Sequence, residues 1–172
     1  MNYLTYYNSP VGKLTIASDG KRIIGLWLEN QKYYLNGLTD KLIFKDDLPI
    51  FIKTKDWLDR YFSKKRPEIK ELDLAISGSD FRKNVLKLLC EIPYGKTITY
   101  NELAKELAKK MNKKTMSARA IGNAVGHNPI SIIIPCHRVI GTNGKLTGYA
   151  GGLDKKIKLL TLEGVKDIKN KF

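Results

Sequence analysis

Residues 99–128 read TYNELAKELAKKMNKKTMSARAIGNAVGHN. Thr99 followed three residues later by Glu102 is the reciprocal capping pattern that opens a helix, and Leu103, Ala104 and Leu107 carry its apolar face to about Lys110. Ser117 is a second N-cap and opens a helix over residues 118–127, which Asn128-Pro129 closes. Two short helices joined by a turn predict a helix-turn-helix. The connection, Lys109 to Thr115, is longer and more basic than the usual tight turn. Apart from Arg119, the exposed face of the second helix is nearly all Ala and Gly. Large side chains read base edges in the major groove. Small ones suit close approach in the minor groove, with Arg119 placed to enter the base stack. Tight helix–helix packing through small residues would give the same composition.

Downstream, Ile130 to Ile134 is an apolar run closed by Pro135, and Cys136-His137-Arg138-Val139 follows. A cysteine flanked by His and Arg sits in an electropositive setting, which favours a nucleophilic thiolate. Adjacent residues on an extended chain point to opposite faces, so Cys136 and His137 need not touch, and the ordinary alternative is a buried structural cysteine. Cys90, within Val85-Leu86-Lys87-Leu88-Leu89, is read that way, as core. Thr142 to Lys145 is a turn, Gly148 to Gly152 a glycine-rich loop, and Asp154 a cap for a last helix stopped by Gly164. His127 is a helix-end residue, the Lys155-Lys156-Lys158 cluster a solvated face, and Glu163 taken alone an exposed last-turn acid.

Upstream, Tyr3–Tyr7, Leu14–Ala17 and Ile23–Leu28 read as strands, the last two joined through Ser18-Asp19-Gly20-Lys21, a hairpin signal. Ile50, Trp57, Leu58, Tyr61 and Phe62 have helical spacing, and both tryptophans, Trp27 and Trp57, are assigned to the core of this part. Leu72, Leu74 and Ile76 alternate as in a short strand or extended linker. Ser77-Gly78-Ser79-Asp80 is a loop-like boundary, with Ser79 or Asp80 capping a helix over residues 81–91.

The 172 residues suffice for a core without staples. Two cysteines exclude a disulfide scaffold, and with two histidines they would build at most one zinc site, for which the spacing is wrong. No apolar run approaches the ~18 residues of a membrane span, and the first residues show no secretory leader. The net charge is +14 and unevenly placed: residues 1–77 hold 13 basic against 10 acidic side chains, residues 78–172 hold 18 against 7. A polyanion, most simply nucleic acid, is the partner such a balance points to.

In order, Ile92-Pro93-Tyr94-Gly95, Thr99-Tyr100, Ala118-Arg119-Ala120-Ile121-Gly122, Asn128-Pro129, Pro135-Cys136-His137-Arg138-Val139, Gly148-Tyr149-Ala150-Gly151-Gly152 and Leu162-Glu163-Gly164 resemble the O6-alkylguanine-DNA alkyltransferases over residues 79–172. The first 76 residues match that family in length and strand-rich character. The resemblance implies an α+β fold: a small N-terminal α/β, ribonuclease H-like domain over 1–76, then a mainly helical domain over 77–172 that carries the helix-turn-helix. It also implies a single-turnover repair protein for duplex DNA containing O6-alkylguanine. The damaged base would be flipped out of the stack, as it must be for an in-line nucleophile to reach the O6 carbon.

By position, Cys136 would be the alkyl acceptor, His137 would deprotonate it through a water, and Glu163 would orient His137. Tyr100 would rotate the phosphate and protonate the leaving guanine. Arg119 would fill the vacated place in the stack, with Ser117, Ala118, Gly122 and Tyr100 completing the DNA face. Asn128 would fix the turn ahead of Cys136. Val139, Tyr149, Ala150 and Gly151 would line the base pocket. Ala150 departs from the polar residue of many relatives, leaving a backbone N–H to serve the guanine oxygen. No cofactor and no metal are implied, nor any membrane; a cytoplasmic monomer is expected. The competing readings are an alkyltransferase-like damage-sensing module that binds the lesion without accepting it, a helix-turn-helix transcription factor, and a cysteine hydrolase.

Overall fold

The computed structural model describes residues 1–166 and residue 168. The chain divides into two compact units, and each is described by itself. The first comprises Met1–Ile76 together with Pro129–Ile133; the second comprises Ser77–Asn128 and the chain from Ile134 onward.

The first unit is built on a four-stranded sheet. Strands β1 (Asn2–Ser9), β2 (Gly12–Ser18) and β3 (Ile23–Leu28) form an antiparallel meander, and β4 (Leu42–Phe44) adds to β1 in parallel, giving the order β3-β2-β1-β4. The expected hairpin between β2 and β3 is present. Gly20 supplies a φ of +104°, and the Asp19 carboxylate accepts from the backbone N–H groups of Lys21 and Arg22. Strand β4 has no sequence signal of its own. It is three residues long, its Phe44 is exposed, and pairing with β1 defines it.

Helix α1 (Pro49–Phe62) packs on β1 and β2. Its buried residues Ile50, Phe51, Thr54, Trp57, Leu58 and Tyr61 recur on one face at helical spacing. Pro49 starts it at a position where a missing N–H costs nothing. Trp27 and Trp57 are both 2% exposed, core residues as their surroundings implied. The indole of Trp27 lies across Gly25 two residues earlier, where a Cβ would stand 2.0 Å from the ring. The alternation at Leu72–Ile76 produces no strand: a 3₁₀ turn at Ile69–Glu71 is followed by one parallel bridge, Leu74 to Ile23.

The apolar run Ile130–Ile134 is buried as expected, but Pro129–Ile133 belongs to the first unit, where Ile130 bridges Leu26. Ser131 hydroxyl donates to the Gln31 side chain at 3.0 Å. Ile132 has a φ of +71°, with the Ile133 N–H on the Ser131 carbonyl at 2.8 Å. That is the strained form of the γ-turn, uncommon for a β-branched residue.

The second unit is mainly helical. Helix α2 (Asp80–Cys90) is capped by the Ser79 hydroxyl, α3 (Tyr100–Lys110) by the Thr99–Glu102 capping box, and α4 (Ala118–Gly126) by Ser117. All three caps follow from the sequence. They pack together through Val85, Leu86, Leu89, Leu103, Leu107, Ile121 and Val125. Helix α3 ends in a Schellman motif: Asn112 takes a φ of +53°, and the Lys113 N–H reaches the Ala108 carbonyl at 2.8 Å. The basic connection that follows is exposed at Lys113, Lys114 and Thr115.

A parallel pair of two-residue strands, β5 (Ile98–Thr99) and β6 (Val139–Ile140), sets the start of α3 beside the chain leaving Cys136. Helix α5 (Leu153–Leu162) is capped by Gly152, at a φ of +102°, and not by Asp154, which lies inside its first turn. Gly164 ends it as expected, with a φ of +79° and a Val165 N–H to Leu160 carbonyl bond of 3.0 Å. No helix among the described residues is long and apolar enough to cross a membrane.

Candidate active site

Cys136 opens a one-turn 3₁₀ segment, Cys136–Arg138, inside the second unit. Pro135, at φ −82° and ψ 62°, forms an inverse γ-turn that lets the Cys136 N–H bond the Ile134 carbonyl at 2.8 Å. The Asn128 side-chain amide donates to that same carbonyl at 2.8 Å. The tight turn is why neighbouring residues here do not alternate as on a strand: Cys136, His137 and Arg138 are all buried together.

Glu163 is the hub of the cluster. One carboxylate oxygen, Oε2, faces His137 Nε2 at 2.6 Å and accepts from Arg138 Nη2 at 3.1 Å. The other, Oε1, accepts from Arg138 Nε at 2.7 Å and from the Gly95 N–H at 3.1 Å. Arg138 spends its remaining Nη1 on the Ile92 carbonyl at 2.7 Å. Gly95 has a φ of +75°, and a Cβ there would stand 2.9 Å from the Glu163 carbonyl. The turn Ile92–Gly95 is thus shaped to hold the far side of this ion pair. Glu163, which sequence reasoning alone would leave exposed, is 4% exposed because it caps α5 just where Gly164 turns the chain away.

The charges follow from this geometry. Burial works against the Glu163 carboxylate, yet hydrogen bonds and charge from His137 and Arg138 hold it well below the ordinary carboxylate value. Burial pushes His137 down from 6.5, opposed by Glu163. Its imidazole is therefore neutral at pH 7. Nε2–H faces the carboxylate, and Nδ1 is a buried acceptor without a protein hydrogen-bond partner. Burial pushes the Cys136 thiol up, while hydrogen bonds from the Asn128 and Tyr149 side chains and the charge of Lys156 pull it down. Cys90 differs. It is half-buried, not fully in the core, and burial pushes its thiol up to about 11.

Tyr100 stands at the first position of α3, with its ring against Gly122 of α4 and a hydrogen bond to Thr147, near enough to Cys136 to feel its charge. Burial raises its hydroxyl above the ordinary value. Asn128, Tyr100 and Tyr149 are therefore gathered around the sulphur, as are His137 and Glu163 through the turn. Val139 is buried in β6, and Ala150 and Gly151 are half-exposed in the loop before α5. Arg119 is exposed on α4, as are Ser117 and Asn123, with Ala118, Ala120 and Gly122 partly covered between them. His127 ends that helix with Nδ1 against the Asn123 carbonyl at 2.7 Å.

Sequence reasoning missed four contributors. Arg138 and Gly95 fix Glu163, and the Ile92 carbonyl fixes Arg138. Lys156, assigned to a solvated face, is fully buried. Only Gly95 left a local signal, as a glycine in a turn. Arg138 and Lys156 carry none, because a cation is read as exposed until its partners are located.

A helix-turn-helix unit that encloses a thiol, an imidazole and a carboxylate on one tight turn and one helix end defines a group-acceptor centre built into a DNA-binding architecture. Family models match the chain nearly end to end. The ribonuclease-like domain of 6-O-methylguanine DNA methyltransferase matches residues 2–76, and the DNA-binding domain of the same protein matches residues 80–165. The chain is 42% identical over 163 residues to the methylated-DNA–protein-cysteine methyltransferase of Haemophilus influenzae, covering 95% of this chain and 87% of that protein. It is 41% identical over 175 residues to the protein of the same name from Methanosarcina barkeri, covering 94% and 96%. The crystal structure of Mycobacterium tuberculosis OGT in complex with DNA superposes with a TM-score of 0.81 at 39% identity, over 94% of this chain and 92% of that one. The chain belongs to the 6-O-methylguanine DNA methyltransferase family.

Proposed function

We propose that this protein repairs duplex DNA by moving the alkyl group of O6-alkylguanine onto Cys136. The observation that carries the reading is the buried His137–Glu163 contact of 2.6 Å, one residue beyond a buried cysteine. Glu163 holds the neutral imidazole in the tautomer whose Nδ1 is free to accept a proton, which is the orienting role of the acid in a nucleophile–base–acid set. His137 takes the thiol proton through a water. The thiolate attacks the O-alkyl carbon in line, the S–C bond forms, and the C–O6 bond breaks with its electron pair going to guanine. Tyr100 supplies the proton that neutralises the departing base. The thioether product has no competent leaving group, so each molecule acts once. No cofactor enters the balance.

Arg119 and the small residues Ser117, Ala118 and Gly122 face the minor groove, with Arg119 filling the place of the flipped base. Asn128, Val139, Tyr149, Ala150 and Gly151 line the pocket that receives it. The setting is the cytoplasm, where a free thiol stays reduced, and the protein works as a monomer.

The test is incubation with a duplex carrying one O6-methylguanine, followed by intact and peptide mass measurement. Gain of one methyl group on the peptide containing Cys136, in stoichiometric yield, is expected. Tight lesion binding with no mass change would replace this reading by the damage-sensing module. Methylation also adds a group to a packed site, at a cost of about 1–3 kcal/mol. The methylated protein is expected to melt several degrees lower, at roughly 2–4 °C per kcal/mol for a chain of this size. Differential scanning calorimetry before and after reaction checks this, and an unchanged melting temperature would show that the site accommodates the group without strain.

A further inference from the structure

Lys156 is a buried cation that the chemistry above leaves without a task. It lies in α5 with no exposed surface. Its Nζ donates to the Val139 carbonyl at 2.6 Å and to the Gly148 carbonyl at 2.9 Å. Val139 leaves the Cys136–Arg138 turn, and Gly148 starts the loop that carries Tyr149. One ammonium thus ties the thiol's turn to the loop beside it. A lysine on an amphipathic helix would ordinarily run its stem along the surface and put its charge in water.

Keeping it here is unfavourable. Burial pushes the ammonium down from 10.5 to about 8, with the charge of Cys136 acting the other way. The folded value lies below the unfolded one, so the buried charge costs stability below pH 8, and that cost is relieved as pH rises from 8 towards 10.5. A residue there only to fill space would be apolar.

The charges of the unit show what it matches. Glu163 is paired with Arg138, and burial keeps His137 neutral. Ionising Cys136 adds a second buried negative charge, and Arg138 is already committed. Among the described residues of this unit, Lys156 is the remaining buried lysine or arginine. The coupling is mutual: its charge favours the thiolate, and the thiolate favours its charge. The other titratable groups that bear on the sulphur are the hydroxyls of Tyr100 and Tyr149, and neither is a cation.

We propose that Lys156 is the counter-charge and positioning residue of the acceptor thiolate, its ammonium stabilising the Cys136 anion while its two carbonyl bonds hold the Tyr149 loop against the acceptor turn. Methylation discharges the sulphur and leaves Lys156 as a buried cation without its partner, so the used protein differs from the fresh one in charge as well as in volume. The inference rests on Cys136 as acceptor.

Lys156→Met keeps the volume and removes the charge and donors; Lys156→Gln keeps donors without charge. The pH dependence of Cys136 carbamidomethylation by iodoacetamide, resolved by peptide mass and run without DNA, reads thiolate formation directly. Its midpoint is expected to rise by about one pH unit or more in both variants, with single-turnover methyl transfer at pH 7 slowed about tenfold or more. Lys156→Arg is expected to restore part of both. An unchanged midpoint in a folded variant would overturn the proposal. If the variants fail to fold, the wild-type protein decides it by NMR titration of its lysine amines. The midpoint of the buried amine falls once Cys136 is methylated, whereas an unmoved midpoint overturns the proposal. A wild-type protein that transfers no methyl group would instead defeat the functional reading, and the iodoacetamide midpoints would still judge Lys156.

Discussion

Cys136→Ser is expected to abolish methyl acceptance, a loss of at least about 10⁴-fold in single-turnover rate, while leaving binding to undamaged duplex unchanged. A serine hydroxyl ionises far less readily than a thiol, and the positive charge and hydrogen bonds at this site fall short of closing that gap. Binding is spared because residue 136 is 4% exposed and the proposed DNA face, around Arg119, is on another element. The measurement is paired: intact mass after incubation with the O6-methylguanine duplex, and gel-shift affinity for the same duplex without the lesion. Methylation persisting in the variant would point to another nucleophile. Cys90 is a poor one, since burial pushes its thiol up to about 11 and little thiolate exists at neutral pH. Affinity falling as far as transfer would mean that the turn at Cys136 shapes the DNA face, against the roles assigned.

Glu163→Gln is the second large effect, in stability as well as rate. The carboxylate accepts four hydrogen bonds, two from Arg138 and one each from His137 and Gly95. An amide turns one acceptor into a donor aimed at other donors and leaves the Arg138 cation buried without its partner. Breaking one member of such a pair costs about 3–5 kcal/mol, which chemical denaturation at pH 7 would read. The pH dependence fixes the cause. The folded Glu163 value lies below its unfolded value near 4.5, so its contribution is complete above pH 4.5 and lost as pH falls below it. His137, lowered from 6.5 by burial, has the same sign: the wild type loses stability as pH falls below 6.5, because the unfolded imidazole takes a proton the folded one refuses. The gap between Glu163→Gln and wild type is therefore expected to narrow below pH 4.5. A gap that stays constant down to pH 3 would mean that packing, and not charge, holds the hub.

Much of this protein is legible from local sequence, because much of it is locally caused. The caps Ser79, Thr99 with Glu102, and Ser117 each satisfy backbone donors within three residues of themselves, and each helix begins where its cap predicts. The first three strands follow from apolar runs and the Asp19-Gly20 turn, and α1 from the spacing of Ile50, Trp57 and Tyr61. Family membership rests on ordered short motifs around Cys136, so the chemistry proposed for the site was also within reach of the sequence.

Tertiary structure alone decided the rest. Strand β4 exists because β1 offers an edge, and Pro129–Ile133 joins the first unit because β3 offers a neighbour for Ile130. Gly152 displaces Asp154 as the cap of α5 because a positive φ brings the chain into the helix. Above all, the burial of Glu163, Arg138 and Lys156 was decided across separations of 17 to 46 residues. A charged side chain prefers water unless its partners are already in place, and no local pattern announces partners that far along the chain. The sequence by itself determined which elements form and which thiol stands among them; only the packed chain determined which charges go inside with it, because that choice depends on pairings that exist only once the distant segments have met.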